Sequence, residues 1–224
     1  MQYLSKVAFR TIWMLIALVA TAFTLIDHLT GLGGDGIPPV LFYTTWSVWL
    51  ALVSSVLAWI FSVLSLVKKE ECDSKVVSFI EFCALIMMIA TFIVSAFVLP
   101  DKIWTGAYWT ASSTFKHFLL PILTVIDVLV YQRGKVYTVF YPLYGVIPSL
   151  VYWVTIVVRA LVYRASCGGA IPEAEYDFYY PYGFTNFDTG HSVGGLCGML
   201  AGILVGLILI GYLFWLFNRR KTEN

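Results

Sequence analysis

Six long apolar blocks, each joined to the next by a more polar link, leave this chain few structures to adopt. They run roughly 7–26, 40–67, 76–99, 112–131, 137–163 and 191–217. A helix rises 1.5 Å per residue, so ~20 apolar residues cross a hydrocarbon core ~30 Å thick. Lipid offers no hydrogen bonds, and a helix pairs each backbone N–H and C=O within its own segment. A membrane β-barrel would show ~10-residue strands of alternating polarity, and these blocks do not alternate. The expectation is therefore an all-α integral membrane bundle of six transmembrane helices, forming a single domain over 1–224. Composition agrees: 60% of the 224 residues are hydrophobic and 12% are charged, against about 25% charged in soluble domains. The second and fifth blocks exceed the span and predict tilt. The first has no small-residue cleavage site and reads as a retained span. A net charge of +1 argues against a nucleic-acid partner. Four cysteines without CxxC spacing imply no disulfide framework.

The links set the orientation. Lys6, Arg10, Lys68, Lys69, Lys75, Arg133, Lys135, Arg219, Arg220 and Lys221 all fall on one side of an even-numbered bundle. Those are ten of the 14 basic residues. The positive-inside rule then places both termini in the cytoplasm, with the cell membrane as the location. The opposite side carries a Gly/Pro-rich link (28–39), a link with Trp104, Tyr108 and Trp109, and a long link (164–190) ending in an aromatic run. Such aromatics suit either a headgroup-level belt or a lid over a substrate path.

Small and hydroxyl side chains fall at helical spacing. In the second span Thr44, Ser47, Ala51, Ser54 or Ser55, Ala58, Ser62 and Ser65 make one stripe, which reads as a helix–helix interface along its inner half. In the sixth, Gly194, Gly198, Gly202 and Gly206 make a ladder for close helix packing, within the chain or in a homo-oligomer. The fourth span carries His117, Thr124 and Asp127, and ionisable groups in lipid point to function. Pro121 frees a backbone carbonyl one turn back and can bend the helix near His117. His28, His117 and His191 all fall on the outer side, but without metal-ligand spacing, so no metal is expected. No cofactor motif is present.

Four motifs in order resemble a known family. They are Tyr43-Thr44-Thr45-Trp46-Ser47 at the start of the second span, and His117 followed by Pro121 and Asp127 in the fourth. Tyr141-Pro142 leads into the fifth with Arg159 toward its end, and Tyr180-Pro181-Tyr182-Gly183-Phe184 precedes the sixth. The arrangement is similar to that of the small multi-pass membrane hydrolases that include the androgen-induced and androgen-dependent TFPI-regulating proteins, and is closest to their bacterial branch. Animal members place one more residue between His and Pro, and Asn-His where this chain has Ser113-Thr114. The resemblance implies a threonine hydrolase of fatty acid esters of hydroxy fatty acids, with Thr44 as nucleophile and His117 as catalytic histidine. Ser47, Asp127, Arg159, Tyr180 and Tyr182 are expected to support catalysis or bind substrate. The implied partners are a lipid ester and membrane lipids.

The chemistry is coherent. A threonine hydroxyl needs a base to take its proton, and histidine is suited to that near neutral pH. Tyr180, Tyr182, Lys116 or a backbone N–H can serve as oxyanion donor. Asp127 lies ten residues from His117, ~15 Å along a helix, too far to orient it directly. It is expected to bond a neighbouring helix or a buried water. Arg159 is expected to pair with Asp127 or hold a substrate carboxylate. Counted from the inner basic residues, upright helices would set Thr44 and His117 ~12 Å apart in depth. Two other readings stand beside the hydrolase. A transporter would need polar residues at matching depth in several spans, whereas the first and third read as almost entirely apolar. A non-catalytic lipid-binding protein would use Thr44 and His117 only for packing.

Overall fold

The structure, a computed structural model, describes residues 2–30, 38–98, 110–132, 138–182, 185, 186, 188 and 192–219. Trp104, Tyr108, Trp109, Arg133, Lys135, Gly183, Phe184, His191, Arg220 and Lys221 lie outside them. Six helices are long and apolar enough to cross a membrane, and no strand occurs among the described residues. They are α1 (Gln2–Thr30), α2 (Tyr43–Lys68), α3 (Lys75–Ile93, continued by a π-turn at Val94–Val98), α4 (Ala111–Tyr131), α5 (Tyr141–Ser166) and α6 (Val193–Arg219). α2 starts three residues later than its apolar block because the Pro38-Pro39 pair directs a 3₁₀ turn over Pro39–Leu41.

Contacts near the helix ends fix an antiparallel alternation. Arg10, near the start of α1, bonds Asp127 near the end of α4, while Asp27, near the end of α1, pairs with Lys116 near the start of α4. Lys6 pairs with Glu71 in the α2–α3 link at 2.8 Å. The Tyr141 hydroxyl at the start of α5 donates to the Lys75 carbonyl at the start of α3. α3 is the hub: 67% of its apolar window is buried, against 17% for peripheral α6. One apolar cluster joins α3, α5 and α6 through Phe82, Ile86, Tyr152, Ile156 and Leu207. The other joins α1 to α2 and α3 through Trp13, Ala17, Ala20, Ala51 and Met88.

The hydroxyl stripe of α2 faces inward as its spacing predicts, with Ser47, Ser54, Ser55, Ser62 and Ser65 all buried. Ser55, Ser62 and Ser65 donate to carbonyls three or four residues back, the economical way to bury a hydroxyl in a helix interface.

The charges depart from expectation in three places. Arg10 is not a flanking charge; its side chain is 1% exposed and sits inside the bundle. Its Nε and Nη2 donate to the two Asp127 oxygens at 2.7 and 2.9 Å, and its Nη1 donates to the Ala58 carbonyl and Ser62 Oγ. α3 is not apolar throughout, since fully buried Glu81 lies 3.3 Å from Arg10. Asp127 does bond a neighbouring helix, but through Arg10 and not Arg159, and it also accepts from Gln132 at 2.9 Å. One guanidinium thus ties α1, α2, α3 and α4 together, as burying charges in a low-dielectric interior demands.

The glycine ladder also departs. A Cβ added at Gly198, Gly202 or Gly206 would meet nothing within 4 Å among the described residues. The close approach of α6 is instead at Gly211, where a Cβ would lie 3.2 Å from Pro142 and 3.3 Å from Ile86. The ladder therefore does not pack α6 onto the rest of the described chain.

Candidate active site

The start of α2 is held by polar contacts to the turn before it. Thr45 Oγ1 donates to the Pro39 carbonyl at 2.6 Å, and Trp46 Nε1 to the Val40 carbonyl at 2.8 Å. The Tyr43 amide, an orphan donor at a helix N-terminus, reaches the Tyr182 hydroxyl at 2.9 Å. Thr44 is thereby fixed in the first turn of α2, and its carbonyl accepts from Ser47 Oγ.

The local shape at His117 follows from Pro121. Proline has no N–H, so the usual bond back to the His117 carbonyl cannot form. The preceding turn widens to a π-turn over Phe115–Leu119, with the Leu120 amide bonding the Phe115 carbonyl five residues back. A second π-turn, Val94–Val98, ends α3. The two meet where His117 Nδ1 lies 2.5 Å from Ser95 Oγ. Inserted π-turns of this kind concentrate at functional sites.

Between these elements lies a cavity of about 280 Å³. Its polar wall carries Thr44, Thr91, Ser95, Lys116, His117, Asp27 and Tyr182; its apolar wall carries Phe42, Ala90, Val94, Trp153, Ile203 and Leu207. Thr44 and His117 therefore share one cavity despite the depth difference expected for upright helices, although no hydrogen bond between described residues joins them. Lys116 bears the cavity's positive charge. Its ammonium is 2.6 Å from Asp27, whose carboxylate also accepts from Ser112 Oγ at 2.9 Å. Such a surface sets an apolar wall beside a cation, hydroxyls and an imidazole.

The other expected site residues have different places. Ser47 stands behind Thr44, bonded to Thr91 Oγ1 at 2.8 Å. Tyr182 lines the cavity, whereas Asp127 belongs to the Arg10 cluster. Arg159 lies outside the cavity, its guanidinium 4.4 Å from the Phe178 ring centre and 4.5 Å from that of Tyr179. Tyr180 faces the loop, donating to Asp188 Oδ2 at 2.8 Å. Arg164 also reaches Asp188, at 2.6 Å, which braces the α5–α6 link. Burial opposes ionisation of Asp188, but the Ile171 amide, Tyr180 hydroxyl and Arg164 guanidinium together hold its carboxyl below the usual range. Burial, then the Asp188 carboxylate, push the Tyr180 hydroxyl above its ordinary value.

Two site residues are not visible in the sequence reading. Thr91 and Ser95 sit four apart in an otherwise apolar span, a weak signal that gains meaning only once α4 is seen beside α3. Of the three histidines considered for zinc, His191 lies outside the described residues. Among those described, no group of three or more His, Cys, Asp or Glu comes together.

Compared with protein-family models, curated proteins and solved structures, the chain matches none. The family resemblance set out above rests on its motifs alone.

Proposed function

We propose that this protein is a membrane-embedded hydrolase of lipid esters, with fatty acid esters of hydroxy fatty acids as the substrate class. The observation that carries this reading is the sharing of one largely apolar cavity by Thr44 and His117, 73 positions apart in sequence. The motif resemblance supports the same pair. The charge bias of the links puts the termini in the cytoplasm and this cavity toward the outer leaflet, where acyl chains reach it sideways.

In the proposed cycle His117 takes the Thr44 hydroxyl proton as Oγ1 bonds to the ester carbonyl carbon. Lys116 and Tyr182, both in the cavity wall, are the proposed oxyanion donors. As the carbonyl re-forms, the C–O bond to the leaving alcohol breaks and His117 returns the proton to that oxygen. Water then attacks the acyl-Thr44 carbonyl, His117 takes its proton, and collapse releases the fatty acid and restores the Thr44 hydroxyl. Arg159 lies outside the cavity and takes no part in these steps.

The buried Arg10, Glu81 and Asp127 place charges in three spans, which the transporter reading requires. They are bonded into a cluster between helices and do not line the cavity, so they favour a structural tie over a polar path. Turnover of a long-chain lipid ester by purified protein in detergent tests the hydrolase. Wild type should hydrolyse it, and folded Thr44→Ala and His117→Ala should each lose about 10²-fold or more. An inert wild type across several lipid esters would leave a lipid-binding protein.

A further inference from the structure

The contact between the two π-turns has a directional consequence. Ser95 Oγ has a single proton, and its hydroxyl donates to the Thr91 carbonyl at 2.7 Å. A carbonyl can only accept, so with the Ser95 proton on that bond the contact to the ring needs a proton from the imidazole itself. The 2.5 Å contact to His117 Nδ1 then runs with Nδ1–H donating to Ser95 Oγ. An imidazole protonated at Nδ1 carries its lone pair on Nε2.

We propose that Ser95 is a positioning residue for His117, holding the ring in the tautomer whose basic atom is Nε2. This rests on the hydrolase reading above for its catalytic consequence, but the tautomer itself does not. The physical logic is that of any base held by a third group: orientation and tautomer are set on one nitrogen so that the other can take a proton. Here the third group is a neutral hydroxyl. It accepts from Nδ1–H in both the neutral ring and the imidazolium, so it need not reorganise as the proton moves. Ser95 is itself fixed, being 3% exposed and carried on a π-turn. Thr91 Oγ1, which meets the Met87 carbonyl at 3.0 Å, lies 2.8 Å from Ser47 Oγ in the next helix.

The test uses full-length protein with ¹⁵N-labelled histidine in lipid, with His28 and His191 replaced by Gln, and the variants Ser95→Ala and Ser95→Thr. Nitrogen NMR distinguishes the protonated from the unprotonated ring nitrogen and needs no turnover. The expected result is an Nδ1–H tautomer in the parent. Ser95→Ala should move population to Nε2–H, and Ser95→Thr, which keeps a hydroxyl able to bond four residues back, should restore Nδ1–H. Ester hydrolysis should follow: kcat falls about 10- to 100-fold in Ser95→Ala with KM within about twofold, and Ser95→Thr recovers most of it. An Nε2–H parent, or a tautomer unmoved by Ser95→Ala, overturns the proposal whatever the activity. If the tautomer responds as expected but the parent is inert on every ester, Ser95 orients His117 and the catalytic consequence falls with the hydrolase.

Discussion

Replacing Asp127 with Ala strands a buried guanidinium, and the structure sets the scale of the loss. Asp127 is fully buried and accepts two bonds from Arg10 and one from Gln132. Bonds to charged groups are worth about 1.5–3 kcal/mol each, and removing one partner of a buried pair costs about 3–5 kcal/mol. Glu81, 3.3 Å from Arg10, retains part of the compensation, so the lower end, about 3 kcal/mol, is expected. Asp127→Asn keeps the shape and one acceptor and should lose about half as much. The assay is reversible unfolding in mixed micelles by SDS titration, followed by tryptophan fluorescence. Because the cluster is screened by protein and not by solvent, adding 0.5 M salt should leave the difference in place. Ordinary interhelical hydrogen bonds in membranes average only ~0.6 kcal/mol. A loss of that size for Asp127→Ala, or one that salt abolishes, would refute the view that this ion pair ties the four helices.

Other substitutions test separate parts of the fold. Gly145→Ala would place its Cβ 2.8 Å from the Phe82 ring, which is fully buried and has nowhere to move; unfolding should show a loss of about 1–3 kcal/mol. Lys69 ends α2 at φ 58°, the left-handed conformation that favours glycine. Lys69→Gly should therefore raise stability by about 1 kcal/mol. Arg159→Ala removes the contacts to Phe178 and Tyr179, costing about 1–2 kcal/mol. It should leave KM for lipid esters unchanged, because Arg159 does not line the cavity. Asp188 has a depressed folded-state value, so its contribution is present above the unfolded carboxylate range and is lost as pH falls through the folded value. The gap in melting temperature between wild type and Asp188→Asn should hold near neutrality and close below about pH 4.

The helices were legible because lipid imposes one rule on every span, and apolar length reports it directly. The α2 stripe was legible for the same reason, since hydroxyls at helical spacing mark the face that turns from lipid. Arg10 misled because charge near a chain end ordinarily marks a membrane boundary; only its partners Asp127 and Glu81, on other helices, reveal that it lies inside. The same limit hid Ser95 and Thr91, whose roles depend on which helix lies beside them. Spacing within one helix does not carry that information. The glycine ladder shows the converse: its pattern marks a face suited to close packing, but the described chain makes its contact on another side of α6, at Gly211. Of the expected site residues, Thr44, His117 and Tyr182 reach one cavity, because the Pro-directed turn before α2 and the π-turn before Pro121 aim them there.

The most direct test of the account is to look for the acyl group on Thr44. Purified protein is mixed with a long-chain lipid ester, quenched in acid within its first turnovers, fragmented and weighed by mass spectrometry. An added acyl mass is expected on the fragment containing Thr44, absent in Thr44→Ala and strongly reduced in His117→Ala. Turnover with no acyl mass at Thr44, or with the acyl group on another residue, would contradict it.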